Sequence, residues 1–191
     1  CAKWVMMPAF AKPRRKVLVE RISKIREWVE TCPYNTIERN TPEGSNKRIG
    51  IICAGAVYQH VKEACPDADI FKLGVSWPLP AKALNEFANS VDELHVVEEA
   101  STYLSDAVKA TGVILDSFQM PLPADGEIHP ADILRSLGRK LPQHRDNEND
   151  IPNRPPALCP GCPHRVIFKE LSRLKAIVTG DIGCYTLGAL P

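Results

Sequence analysis

The chain has 191 residues, with 24 Lys and Arg against 23 Asp and Glu, 44% hydrophobic and 6% aromatic residues, and a formal net charge of +1. That composition supplies a packed core, excludes a charge-swollen disordered chain and gives no bulk attraction to nucleic acid. No stretch approaches the roughly 20 consecutive apolar residues of a membrane span and no leader-like segment opens the chain, which reads as cytoplasmic.

Seventeen prolines against eleven glycines predict stiff connectors between ordered pieces. A start at Cys1 and the absence of a closing element before Pro191 read as an internal piece of a longer protein. Seven cysteines, an odd number in a chain this long, argue for a reducing compartment rather than a disulfide framework.

Charge is segregated: residues 1–48 hold 11 basic and 5 acidic side chains, residues 49–118 hold 4 and 10. With no aromatic stacking residues beside Lys12, Arg14, Arg15 and Lys16, this basic run reads as the polar face of a helix adjoining the acidic part, not as a nucleic-acid footprint. Pro13 is placed to start that helix, and Leu18, Ile22, Ile25 and Val29 recur at spacings of four, three and four. Residues 35–47, with Pro42, Gly44 and Asn46, read as a loop.

From Arg48 the period alternates. Residues 49–53 predict a strand; Val57, Val61, Ala64 and Cys65 a helix face; residues 70–73 a second strand; Leu84, Phe87, Ala88 and Val91 a second helix. Residues 94–97 predict a third strand, Leu104, Ala107 and Val108 a third helix, and residues 113–115 a fourth strand. Short strands separated by helices of this length give βαβ units and a mostly parallel sheet covered on both faces, an α/β fold. Residues 118–129 read as a connector, 131–138 as a short helix, and 141–156, with four prolines and the polar run 144–150, as a second connector. A second α/β unit follows, with a helix bearing Ile167, Leu171 and Leu174 and a strand at 176–179.

Chemistry concentrates in this last part. Cys159-Pro160-Gly161-Cys162-Pro163-His164 admits three readings: zinc ligands with Cys184, a redox dithiol, or a turn feeding a helix N-terminus whose free N–H groups attract an anion. A plain helix start with incidental cysteines stands beside them. The loop with Gly180, Gly183 and Gly188 after the 176–179 strand is where phosphate-cradling loops sit, although it is neither a Walker sequence nor G-x-G-x-x-G. Glu98 and Glu99 end the third strand; solvating that edge and favouring the next helix N-terminus explains them better than acid–base work.

CPGCPHR at 159–165 and TGDIGCYTLGALP at 179–191 resemble the opening of the thiamine-diphosphate-binding domain in the alpha subunits of indolepyruvate ferredoxin oxidoreductases, within the 2-oxoacid:ferredoxin oxidoreductase family. KWVMMPA at 3–9, YQHVKEA at 58–64, KLG at 72–74 with PLP at 78–80, and VEE at 97–99 fit the same family in the same order.

The resemblance implies a linking segment at 1–47, a three-layer transketolase C-terminal-like domain at 48–118, a Pro-rich connector at 119–157 and the start of the cofactor domain at 158–191. It implies that Cys162, Pro163, His164, Gly180, Asp181, Ile182, Gly183 and Cys184 line thiamine diphosphate, with no catalytic side chain and no metal ligand among them. Mg²⁺ and iron–sulfur clusters would be held by other parts of such a protein. The implied reaction is oxidative decarboxylation of indolepyruvate and other aryl pyruvates to the aryl-acetyl-coenzyme A with reduction of ferredoxin. A beta subunit completes the complex, and neither nucleic acid nor membrane is a partner. The other function class is a stand-alone metal-binding or interaction module built on the CPGCPH cluster.

Overall fold

A computed structural model describes residues 4–142, 152, 156–180 and 182–188 of the chain. The chain divides into two compact units, Cys1–Gln143 and His144–Pro191. The polar run 144–150 lies outside the described residues, as do Cys1 and Asp181.

The first unit opens with helix α1, Pro8–Val29. It starts one turn before the expected Pro13, because Pro8 already occupies the first helical position, and Pro13 then sits inside the helix. The anchored end of α1 is the C-terminal one: Val29 is buried, and both Glu30 carboxylate oxygens accept backbone N–H groups, of Lys82 and Ala83, at 3.1 Å.

The sheet has four strands, β1 (Thr36–Glu38), β2 (Ile49–Ala54), β3 (Asp69–Leu73) and β4 (Glu93–Val97), in the order β1-β3-β2-β4. β2 runs parallel to both β3 and β4, while β1 pairs antiparallel with β3 in the register Ile37↔Phe71. β1 corrects the loop expected at 35–47: three residues are too few to show a period, and their pairing comes from β3. The other correction concerns residues 113–115, which form no strand. Asp116 N donates to Leu94 O and its carboxylate accepts from Leu94 N, both at 2.8 Å. A side chain thus takes the place of the backbone carbonyl that would continue the ladder.

Side-chain alternation builds two cores on the opposite faces of this mixed sheet. Ile51, Cys53, Ile70 and Val97 pack with Val57, Val61 and Ala64 of helix α2 (Val57–Ala64) and with Ile133 of helix α5 (Pro130–Ser136). Ile52, Phe71, Leu94 and Val96 pack on the other face with Leu84 and Phe87 of helix α3 (Ala81–Ala88) and with Leu104 and Val108 of helix α4 (Tyr103–Lys109). Residues after the last strand join the first core, with Ile128 buried and Gln119 N bonded to Ser136 O at 2.8 Å. Among the described residues no helix is long and apolar enough to cross a membrane.

The second unit holds helix α6 (Pro163–Arg173) and a short 3-10 turn at Thr186–Gly188. The strand expected at 176–179 is not formed: a strand needs a neighbour to take its backbone groups, and none is present among the described residues of this unit.

Candidate functional site

Open α/β sheets offer ligands the C-terminal ends of their strands. Here the residues at that edge direct several of their acceptors at the protein's own N–H groups. Glu98 accepts from Leu104 N at 2.6 Å and Ser105 N at 2.9 Å, and also from the Ser105 hydroxyl, so it caps α4. Glu99 accepts from Ile128 N at 3.1 Å, and Asn35 Oδ1 accepts from Gly74 N and Val75 N at 3.0 Å. Glu98 therefore does the expected work at the N-terminus of the next helix, whereas Glu99 instead holds the segment that leads into α5. His95 is likewise structural: it is buried, bonded through Nε2 to Glu93 at 2.8 Å and stacked on Phe118.

The chemistry-bearing segments meet in the second unit. Cys162 caps α6 with an extended backbone, Pro163 takes the first helical position, and the preceding turn closes through Cys162 N to Cys159 O at 3.1 Å. Gly161 holds φ +76° in that turn, where a side chain would be strained. The Arg165 guanidinium reaches back to the carbonyls of Cys159, at 3.1 Å, and Leu158, so the turn is tied to its own helix.

The second segment folds against the same helix. Thr186 N, Leu187 N and Gly188 N donate to Gly183 O, Cys184 O and Tyr185 O at 3.1, 3.2 and 3.0 Å. Gly183 has φ +151°, with nothing within 4 Å of the place a Cβ would occupy. Gly188 is pressed on Phe168 so closely that a Cβ there would collide with the ring. His164, Phe168 and Tyr185 form a three-ring cluster, His164 lying 4.8 Å from Tyr185 and 5.6 Å from Phe168 between centroids.

An open cavity of about 530 Å³ lies beside the cluster, walled by Phe168, Leu171, Val178, Gly180, Tyr185 and Thr186 among others. Of the residues expected to line a cofactor, Gly180 lines this cavity and His164 touches a residue that does. Cys162, Pro163, Ile182, Gly183 and Cys184 are on the flanking turns and not in its wall, Ile182 being almost fully exposed. Phe168, Tyr185 and Arg165 are not among the residues expected to line the cofactor. Phe168 carried a usable signal, since it is four residues from His164 on a helix and so shares its face; for the other two the local sequence holds none. Cys159, Cys162 and Cys184 are free thiols, and among the described residues no group of three or more His, Cys, Asp or Glu side chains is arranged to hold a metal ion.

The residues present fit a diphosphate cofactor. A helix of 11 residues presents its N-terminus, and two positive-φ glycines, Gly161 and Gly183, have open space where any other residue would carry a side chain.

No family model matches the chain. The chain is similar to curated proteins named indolepyruvate oxidoreductase subunit IorA. It is 33% identical to that of Pyrococcus horikoshii, across 99% of this chain and 32% of that protein. The corresponding values are 32%, 99% and 32% for Thermococcus kodakarensis, and 31%, 99% and 34% for Methanothermobacter marburgensis. The chain thus spans about a third of the length of the curated relatives it matches.

Proposed function

We propose that the chain is a segment of an indolepyruvate oxidoreductase subunit and contributes a scaffold domain and part of a thiamine diphosphate site. Likeness to the IorA subunits over 99% of the chain supports the first half of this reading. The second half is carried by one observation: the His164–Tyr185 ring contact, which joins the CPGCPH turn to the residue that follows Cys184.

In this reading residues 48–118 form a transketolase C-terminal-like scaffold, and residues 158–191 open the cofactor domain. Cys162, Pro163 and His164 with Gly180, Asp181, Ile182, Gly183 and Cys184 line the cofactor: the glycine-bearing turns offer backbone N–H groups, His164 its imidazole and Pro163, which has no N–H, a fixed helix start, and no side chain of this chain performs the chemistry. When bound, thiamine diphosphate supplies the nucleophilic carbon and the electron sink for decarboxylating a 2-oxoacid. The residues of this chain orient it: the α6 N-terminus favours negative charge, the glycines let backbone approach oxygens, and Arg165 keeps the first turn in shape. The complete enzyme acts in the cytoplasm on aryl pyruvates, with coenzyme A, ferredoxin and a beta subunit as partners.

The test is cofactor retention in the complete subunit complex. Gly183→Val and His164→Ala are expected to weaken thiamine diphosphate binding by about tenfold or more without changing the circular dichroism spectrum. Valine there strains a positive φ and fills open space. Wild-type retention in both variants would overturn the reading.

A further inference from the structure

We infer that Tyr185 is a positioning residue for His164, an inference that rests on the cofactor-site reading above. His164 and Phe168 are one helical turn apart on α6, and their rings stack with an interplanar angle of 16°. Tyr185 arrives from the loop, at 51° to His164, and meets Phe168 edge-on at 6.3 Å and 62°. His164 is therefore flanked by one ring from its own helix and one from the second motif.

The loop has little latitude in delivering Tyr185. Gly188 leaves no room for a Cβ against the Phe168 ring, and Gly188 N donates back to Tyr185 O at 3.0 Å, so the register of the turn against α6 fixes the phenol. Phe168 and Tyr185 also form part of the cavity wall, so the pair that restrains His164 faces the space beside it. An imidazole restrained before a ligand arrives loses less rotamer freedom on binding, and that difference appears as affinity. Only the ring of Tyr185 makes these contacts, so phenylalanine preserves them and alanine removes them.

The experiment uses the complete subunit complex and thiamine diphosphate itself, titrated calorimetrically into wild type, His164→Ala, Tyr185→Ala, Tyr185→Phe and the double alanine variant, alongside the unfolding midpoint of each cofactor-free complex. Tyr185→Ala is expected to bind about fivefold more weakly, the size an aromatic pair contributes. Tyr185→Phe should bind as wild type, and the double variant no more weakly than His164→Ala alone. Should Tyr185→Ala fail to assemble, Tyr185→Leu keeps the bulk without the aromatic face and is expected to show the same loss. Wild-type affinity in Tyr185→Ala, or additive losses in the double variant, would overturn this inference while His164→Ala still reports on the cofactor site. Full affinity in His164→Ala would instead overturn the cofactor-site reading, and this inference with it.

Discussion

The buried Asp69 carboxylate and the Arg39 guanidinium meet at 2.9 Å across the end of β1, and the same carboxylate accepts Asn40 N at 2.9 Å and Thr41 N at 3.0 Å. This one acid at the start of β3 closes off the chain that leaves the antiparallel edge strand. Burial pushes its carboxyl up, but the Thr41 amide, the Arg39 guanidinium and the Asn40 amide outweigh that and hold it below the usual carboxylate range.

The sign of its pH dependence follows. A depressed folded-state value stabilises the fold fully above the unfolded value, about 4, and that stabilisation is lost as pH falls through the lower folded value. Asp69→Ala is expected to cost about 1–3 kcal/mol at neutral pH, mostly from the two backbone N–H groups left without their acceptor and not from the half-exposed Arg39. Denaturant unfolding at a series of pH values should show the wild type losing stability below about pH 4, with a shallower fall in the variant. Equal slopes would refute the assignment.

Glu98 makes the equivalent closure at α4. Replacing it with alanine leaves Leu104 N and Ser105 N without their acceptor and is expected to destabilise the first unit by about 1–2 kcal/mol. Thermal unfolding checks this, and hydrogen exchange should quicken at Leu104 and Ser105 before it does in β2. An unchanged melting temperature with unchanged exchange would mean that the carboxylate does not cap the helix.

The thiols divide by burial. Desolvation pushes Cys53 up to about 12 and Cys65 up to about 11, whereas Cys184 is exposed. Iodoacetamide at pH 8 should therefore label Cys184 at least roughly a hundredfold faster than Cys53 or Cys65, because the thiolate is the nucleophile and must also be reached. Mass spectrometry of timed samples reads the order. Unfolding in guanidinium should abolish the difference, and early labelling of Cys53 would contradict the packing of β2.

Residues that read clearly in the sequence were those whose signal is periodic and local. β2, β3 and β4 and their covering helices follow from runs such as Ile51 to Cys53 and spacings such as Leu84, Phe87. Burial on a helix or strand repeats at a fixed interval whatever the rest of the chain does. The two motif segments were equally legible, since unusual glycine and proline placements mark turns by steric necessity.

What only the tertiary structure decided were the relations between segments far apart in sequence. The three residues of β1 become a strand because β3 offers an edge and Asp69 secures the exit. Residues 113–115 do not, because Asp116 spends its side chain on Leu94, and residues 176–179 have the composition of a strand without a described neighbour to pair with. Nothing local to Tyr185 pairs its ring with His164; the fold sets the two together. Periodicity is a property of one segment and is written in its residues; pairing and ring contact depend on what the chain brings alongside, and that is fixed only when the chain folds.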